Sequence, residues 1–455
     1  MLFTTEWLTT IFSEYEGKAK DRIPIEEVST DSRVKARKPL FIPLVGENFD
    51  GHAHVKQAFD NGAVAVLWEK QKTLPHFLPA DFPVFYVNDT LVALQQLAAA
   101  YRNEINPTVI GITGSNGKTT TKDIVASVVK TTYKTHYTKG NLNNHIGLPL
   151  TILSMERDTE VIVLEMGMSH AGEIEKLAKI AMPDYGIITN IGESHIEYLG
   201  SRQGIANAKL EILKGMDEKA PLIIDGDEKL LNPVHQKDNV TTCGFHMNND
   251  VVIEQAHIFQ EKTQFQLDGE AYAVSLLGKH HALNATYAIT LGKWLGMNKE
   301  EIRVALLQLE LTSMRFELLS GVNGVSIIND AYNASPTSMK AAIEVVKEME
   351  GFKEKVLILG DILELGEYSK ALHQSVASAI DAPVTALFTC GTEAKYISDE
   401  VRQKKPTIIS IHFDSKQDLQ KKLQNYKNKD ALLLFKASRG MQFESLVESV
   451  QTAAE

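Results

Sequence analysis

The stretch Gly111-Ile-Thr-Gly-Ser-Asn-Gly-Lys-Thr-Thr-Thr-Lys-Asp123 limits what this chain can fold into more than any other. An apolar β-type run, Thr108-Val-Ile, precedes it, and a helical run, Asp123-Ile-Val-Ala-Ser-Val-Val, follows it. Strand, glycine-rich turn and helix in that order form a cradle whose backbone N–H groups and helix N-terminus face an anion. Gly114 and Gly117 let the backbone come close, Lys118 can reach terminal phosphates, and the Thr119 hydroxyl suits Mg²⁺. Ser115, Asn116 and Thr120 share the same turn. The run departs from G-x-x-x-x-G-K-[ST] at one place, where Ile112 stands for glycine. A glycine-rich turn without a ligand does not explain Lys-Thr-Thr after Gly117.

Around this loop the chain reads as three α/β domains, since its 455 residues exceed one ordinary core. Residues 1–105 form a small α/β domain with short strands at 39–44, 63–68 and 84–87 and a helix over 90–101. Residues 1–12 read as an amphipathic helix and not as a signal peptide, because they carry Glu6 and no basic segment. Asn106-Pro107 marks a boundary. Residues 106–312 continue from the loop with continuous apolar strands at 161–165, 185–190 and 221–225, separated by helices at 170–181 and 201–216. Such alternation means a parallel sheet covered on both faces. A β-rich patch over 240–277 contains a hairpin turn at Asp268-Gly269, and helices at 282–295 and 299–309 close the domain. Residues 313–455 alternate again: strands at 325–328, 355–359, 384–388, 407–411 and 431–435, helices at 337–350, 369–380, 393–403 and 415–426. That is a second, Rossmann-like doubly wound sheet, without the G-x-G-x-x-G of a dinucleotide site.

The net charge of −11 argues against broad nucleic-acid binding, so anionic ligands need local cations, metal and backbone. No apolar run approaches a membrane span. Two distant cysteines, Cys243 and Cys390, offer no disulfide framework and suit a reducing cytoplasm.

Ligands of open α/β sheets collect at the carboxyl ends of the strands. Glu165 ends one such strand, His195 lies just past another, and Thr119 caps the phosphate loop. A carboxylate, an imidazole and a hydroxyl on one sheet edge could serve a divalent metal. His195 taken alone is an ordinary loop histidine, and Glu165 alone a solvated strand end. Lys209 falls on the apolar stripe Ile205, Ala208, Ile212, Leu213 and Met216. Periodicity favours a snorkelling lysine there; a lysine held near phosphate or metal, or chemically modified, is the other reading. Asp330, in Asn329-Asp-Ala-Tyr-Asn-Ala-Ser-Pro336, could accept ribose hydroxyls, and Arg315 could reach phosphates from the third domain. A turn built on Asn, Ser and Pro and a surface arginine weigh about equally. Ser29-Thr30-Asp31-Ser32-Arg33 could hold a uridine or phosphate, but sequence physics favours an Asx/ST-type loop.

Taken together these runs resemble the Mur ligase family of ATP-dependent amide-forming enzymes, across all three domains. The loop Gly114-Ser-Asn-Gly-Lys-Thr-Thr120 is the family's form, Ile112 included. Four further runs point within the family to the branch that joins D-alanyl-D-alanine to UDP-N-acetylmuramoyl-tripeptide: Gly140-Asn-Leu-Asn-Asn-His-Ile-Gly-Leu-Pro-Leu150, Asn329–Met339, Leu359-Gly-Asp-Ile-Leu-Glu-Leu-Gly366 and Lys436-Ala-Ser-Arg-Gly-Met441. An Asp-Asn-Pro-Arg motif typical of many ligases that add the third amino acid is not found.

The resemblance implies roles by position. ATP would be held by Gly114 to Thr120, Asn284, Arg315, Asp330, Tyr332 and Asn333, with Asn284, Tyr332 and Asn333 at the adenine and Asp330 at the ribose. Thr119, Glu165, His195 and a carbamylated Lys209 (N6-carboxylysine) would hold Mg²⁺, as two ions. Leu210 departs from the glycine that relatives often carry after this lysine. Ser29 to Arg33, with Asn48, Asp50, Gly51 and His52, would hold the UDP end of the substrate, and Asn141, Asn144 and the loop 361–367 would lie near the dipeptide. The tripeptide's terminal carboxylate would attack the ATP γ-phosphoryl group. The dipeptide amine would then displace phosphate from the acyl phosphate, giving ADP and phosphate. Lys118, Glu165, His195, Lys209 and Arg315 would carry the chemistry, and the third domain would close over ATP. The implied enzyme is a cytoplasmic monomer of peptidoglycan precursor synthesis, and so of cell-wall growth, cell shape and division. The alternatives are the ligase for the third amino acid, a folate polyglutamate ligase, which should lack the uridine-binding first domain, and a non-catalytic ATP-dependent switch.

Overall fold

Four sheets carry the fold in a computed structural model that describes residues 1–259 and 261–452. The largest has nine strands in the order 270–274, 262–267, 251–259, 240–244, 222–225, 185–188, 108–113, 161–165, 135–137. From 135–137 to 251–259 every pairing is parallel; the last two strands turn back as an antiparallel meander. The inner strands Val161–Glu165 and Thr108–Thr113 are buried almost throughout, which is why their sequences show no polar alternation. Asp268 and Gly269 make the hairpin turn with φ of 51° and 74°, the signs a two-residue turn with matching twist requires.

The third domain has six strands in the order 317–320, 326–329, 431–436, 354–360, 386–390, 409–413, with only the first antiparallel. Its innermost strand, Ala431–Lys436, is the last strand in sequence, and it is buried end to end. Thus Lys436 and Asp330, a hundred residues apart, leave the carboxyl ends of neighbouring strands. The first domain holds a five-stranded sheet, 15–16, 84–87, 65–69, 39–41, 27–29, beside a two-stranded ribbon of 3–4 with 24–25. Its long helix Thr90–Ile105 starts on an Asp89 cap and ends at Asn106, whose φ of 53° stops it before Pro107.

Several expectations are corrected. Residues 1–12 do not form one helix: Phe3–Thr4 is a strand and only Thr5–Leu8 is helical. Pairing of Phe3 with Ile25 and of Thr4 with Pro24 overrides the local amphipathic pattern. The expected helix over 201–216 is α-helical only over Arg202–Leu210 and tightens to 3₁₀ over Glu211–Gly215. There the Glu211 carboxylate accepts from Gly172 N (2.8 Å) and Glu175 N (3.3 Å), capping the start of helix Glu173–Ala181. Two elements are additional to those expected: the edge strand Glu317–Ser320, which carries no strong local signal, and the helix Glu444–Gln451, whose Leu446, Val447 and Val450 share one buried face.

One buried carboxyl gives the fold a pH signature. Burial at the end of strand Leu222–Asp225 pushes Asp225 up to about 7. Its unfolded value is near 3.9, so the native state is the better proton binder, and the charge weakens folding increasingly between those two pH values. Asp225→Asn is therefore expected to raise the thermal midpoint more at pH 8 than at pH 5. An equal effect at both pH values, read by calorimetry, would contradict the assignment.

Candidate nucleotide and ligation site

The loop after Thr108–Thr113 is held largely from the neighbouring strand. Asn190, just past strand Tyr185–Ile188, accepts from Ser115 N through its carbonyl (3.0 Å) and from Asn116 N through Oδ1 (2.9 Å). The Asn190 amide (2.9 Å) and the Thr189 hydroxyl (2.7 Å) both donate to the Asn116 carbonyl. The loop N–H groups are thereby aimed before any ligand arrives. Gly117, with φ of 77°, is the residue before helix Lys118–Val129, and a Cβ there would come 3.0 Å from Asn284 Oδ1.

A cavity of about 170 Å³ opens over this loop. The central domain lines it with Ser115 to Thr120, Asn190, Ser194, His280, His281 and Asn284; the third domain adds Arg315, Phe316, Asp330, Asn333, Thr337 and Lys436. Ser115 Oγ, Asn116 Nδ2, both His281 ring nitrogens, Asn284 Nδ2 and Arg315 Nε are buried without a partner. Buried polar atoms are nearly always paired, so this concentration marks a wall built for a polar ligand. Lys118 donates to Gly114 O (2.7 Å) and Ser115 O (3.1 Å), within the loop it would serve. Enclosure lowers its pKa to about 8; Glu165 opposes the shift and Arg315 adds to it. Burial and the adjacent His280 hold His281 well below the usual histidine range, so it offers neutral nitrogens.

The third domain is closed onto the central one by named contacts. Arg315 donates to Thr119 Oγ1 (3.2 Å) while its guanidinium lies 4.1 Å from the Tyr332 ring centre. Ser335, which caps helix Pro336–Glu348, also donates to Asn116 Oδ1 (2.8 Å). Thr337 Oγ1 donates to Glu193 (2.7 Å), and Tyr368 OH to Gly200 O (2.9 Å). Asp330 ion-pairs with Lys436 and accepts from Phe316 N at 3.2 Å.

The structure brings Ser115 to Thr120, Asn284, Arg315, Asp330 and Asn333 to one cavity. Gly114 stands behind it, with φ of 145°, where a Cβ would collide with Thr189. Tyr332 is not among the residues that line the cavity; its ring lies against Arg315, which does line it. Glu165 is 2 % exposed; one oxygen accepts from Asn143 Nδ2 (2.7 Å) and the other has no partner. His195 is turned to Glu364 of the third domain, and among the described residues no three His, Cys, Asp or Glu cluster as a metal site by themselves. Lys209 is 1 % exposed, so it does not snorkel. Burial and the Lys118 charge push its amine far below the usual lysine range.

The first-domain candidates lie apart from this cavity. Asp31 and Arg33 pair with each other at 2.7 Å, which holds the Asp31 carboxyl down to about 2, and Ser29 Oγ bonds back to Asp31 O. Thr30 is half-buried in the same turn, and Ser32 Oγ donates to Gln57 (2.8 Å). Asp50 caps the turn Gly51–His54 and binds His52 and Lys72; burial pushes its carboxyl up, but these donors bring it to about 2. Asn48, in the loop before it, is exposed. Asn144 Oδ1 accepts from Gly147 N (2.9 Å) at the start of helix Gly147–Leu153, and Asn141 is exposed. Gln95 of the first domain donates to His145 O (3.0 Å), so the run 140–147 links that domain to Glu165. Asn190, Thr189, His280, His281 and Lys436 were missed; the Gly278-Lys-His-His run beside Asn284 was the available signal for two of them.

A phosphate loop roofed by a second α/β domain, which adds Arg315, Asp330 and Lys436 to the same cavity, defines a nucleotide-using enzyme of several α/β domains. The chain belongs to the Mur ligase family: residues 24–102 match the Mur ligase family, catalytic domain, residues 112–292 the Mur ligase middle domain, and residues 314–439 the Mur ligase, glutamate ligase domain. It is 46 % identical over 429 residues to the UDP-N-acetylmuramoyl-tripeptide--D-alanyl-D-alanine ligase of Bacillus subtilis, covering 94 % of this chain and 93 % of that one. The Escherichia coli protein of the same name is 31 % identical over 94 % of each chain. Among solved structures, MurF from Acinetobacter baumannii superposes with a TM-score of 0.86 at 28 % identity over 99 % of this chain and 98 % of that one. MurF ligase from Thermotoga maritima, in complex with ADP, gives 0.82 at 29 % identity over 94 % and 97 %.

Gly117→Ala is expected to fold yet weaken ADP binding about tenfold: a left-handed alanine costs roughly 1–2 kcal/mol, so the free loop relaxes out of the cradle geometry that ADP must then restore, and its methyl group presses Asn284. Titration calorimetry with ADP checks this; unchanged affinity would contradict it.

Proposed function

We propose that this chain joins D-alanyl-D-alanine to UDP-N-acetylmuramoyl-tripeptide at the expense of ATP, releasing ADP and phosphate. The observation that carries the reading is the 46 % identity, spread over nearly the whole of both chains, to a ligase of that name. The cavity shared by the phosphate loop and the third domain supplies its physical basis.

In the first half-reaction an oxygen of the tripeptide carboxylate attacks the γ-phosphorus and the bond to ADP breaks. Negative charge gathers on the transferring group. Lys118 from below and Arg315 from above are the cations positioned to meet it. Tyr332 holds the arginine plane, and Asn190 and Thr189 hold the loop, so little reorganises during the step. In the second half the dipeptide amine attacks the acyl carbon, the bond to phosphate breaks, and the amine loses its proton. Closure of the third domain keeps water from the acyl phosphate. The first-domain runs 29–33 and 48–52 are assigned to the UDP end, and the run 140–147, beside Glu165 and against Gln95, to the peptide. Asn284 with the two histidines is assigned to the adenine, and Asp330 to the ribose.

Magnesium fits the residues present: the partnerless buried oxygen of Glu165 and the Thr119 hydroxyl are hard oxygen donors beside the phosphate loop. Thr119, Glu165 and a carbamate on Lys209 would hold it, with His195 close to the domain seam; two ions suit that donor set. When bound it would neutralise phosphate charge. A neutral, buried Lys209 amine is the form that adds CO₂, and the resulting carboxylate would supply the acid group that the cluster otherwise lacks. Both walls of the cavity come from one chain, which supports a monomer. Two free, buried cysteines support action in a reducing cytoplasm.

Phosphate release with ATP and UDP-N-acetylmuramoyl-tripeptide is expected with D-alanyl-D-alanine and not with single amino acids. Release with lysine or diaminopimelate on the dipeptide precursor would instead indicate the preceding ligase. Lys209→Ala is expected to lower ligation by about a hundredfold or more, the scale of losing a positioned charge at phosphoryl transfer, with partial rescue by short carboxylates. Full activity of that variant, or no carbamate carbon in ¹³CO₂-loaded enzyme by NMR, would count against the modification.

A further inference from the structure

Helix Lys118–Val129 carries an ion pair that the reaction outlined above does not use. Lys122 and Asp123 are neighbours in sequence, contact each other, and are 1 % and 3 % exposed. A buried ion pair is a poor source of stability, since desolvation offsets its attraction. Its presence one turn from the phosphate loop therefore asks for another purpose. Asp123 has a second partner: its carboxylate accepts from Thr312 N at 2.9 Å and lies 3.4 Å from the Thr312 hydroxyl. Lys122 fixes the carboxylate from the other side and rests 5.3 Å from the Tyr137 ring centre.

Thr312 begins the segment that crosses into the third domain. Three residues on, Arg315 reaches Thr119. Thr119 and Asp123 are four apart on one helix and so share a face; the crossing segment touches that face twice. Between and beyond these contacts the backbone is bent. Met314 and Phe316, on either side of Arg315, have φ of 58° and 52°, a left-handed state costly for side chains of this size. Such residues persist only where their surroundings over-determine them. Downstream, Phe316 N donates to Asp330 (3.2 Å) and Tyr332 N to Met314 O (3.2 Å). Upstream, Asp123 is the anchor.

We propose that Asp123, fixed by Lys122, is a positioning residue: it clamps the interdomain crossing at Thr312 and thereby sets Arg315 over the terminal-phosphate end of the nucleotide site. The clamp belongs to the central domain and its load to the third, so it links the phosphate-loop helix to the seat of the arginine. The proposal rests on the reading of the cavity as an ATP site, and its effect is confined to what Arg315 touches.

The test is a double-mutant cycle against Arg315→Ala in the full chain. One variant, Lys122→Met with Asp123→Ala, removes both charges together and leaves neither unpaired. A second inserts one glycine after Ser313, which keeps the ion pair and dislocates the arginine. Calorimetry reads affinity for ADP and for the β,γ-imido analogue of ATP with Mg²⁺, and steady-state ligation reads kcat and KM. In the parent background either variant is expected to weaken the triphosphate analogue and lower kcat by about tenfold, a displacement worth roughly 1.4 kcal/mol, while ADP affinity stays within about twofold. In the Arg315→Ala background the further change should be under about twofold, as for residues acting through one another. Effects that multiply in that background, or equal weakening of ADP and the analogue, overturn the proposal. If the charge-free variant does not fold, the insertion variant carries the same expectation alone. A parent that binds the nucleotides but ligates nothing defeats the functional reading, and the two affinities then decide the clamp by themselves.

Discussion

Everything at the site depends on how Thr113 to Gly117 is held open. A loop that presents its N–H groups outward cannot also use them in ordinary secondary structure, and buried backbone donors left unpaired are costly. The chain resolves this by bonding the loop through its edges. Asn190 and Thr189 take the first N–H groups and the Asn116 carbonyl from the next strand. Gly114 and Gly117 absorb the left-handed turns. Tyr287 in turn donates to Thr189 O at 2.7 Å, tying the arrangement to helix Lys279–Trp294, which brings Asn284 and the two histidines. The nucleotide wall is thus a consequence of how one loop is braced.

The same physics explains what could be read from residues alone. The loop was legible because its chemistry is local: glycines, Lys118 and Thr119 follow one another. Strands such as Val161–Glu165 and Ala431–Lys436 were legible because burial on both faces writes a continuous apolar run. Edge elements were not. Glu317–Ser320 and Thr135–Tyr137 are short and half-buried, so neither composition nor period distinguishes them from loops. Residues 1–12 have a helical pattern that pairing with residues 24–25 overrides.

Residue roles divide along the same line. Lys209 stood out as a charge on an apolar stripe, and it is buried. Asp330 and Arg315 were even wagers, since nothing nearby in sequence shows that a strand 100 residues later supplies Lys436, or that Thr119 awaits the arginine. Tyr332 sits within the expected motif, yet its ring faces Arg315 and not the cavity; a motif fixes which residues are adjacent, not where each side chain points. His195 shows the same limit, because its partner, Glu364, is reached only when the domains meet.

Lys436, Lys122, Lys118 and Lys209 show how one costly group is used in different ways. Lys436 is paired by Asp330 and the Asn333 carbonyl, although burial still outweighs that pairing and lowers its pKa. Lys122 is compensated by Asp123, but that carboxylate is shared with the interdomain crossing. Lys118 is held only by two loop carbonyls, neutral partners that a phosphate would outbid. Lys209 is 1 % exposed, and burial with the Lys118 charge disfavours its charged form. Among these four the order runs from structure to chemistry: the less completely the amine is paired by the fold, the more its chemistry is left for a ligand. Where the pairing is fullest the residue shapes the wall, and where it is least the amine is free to react.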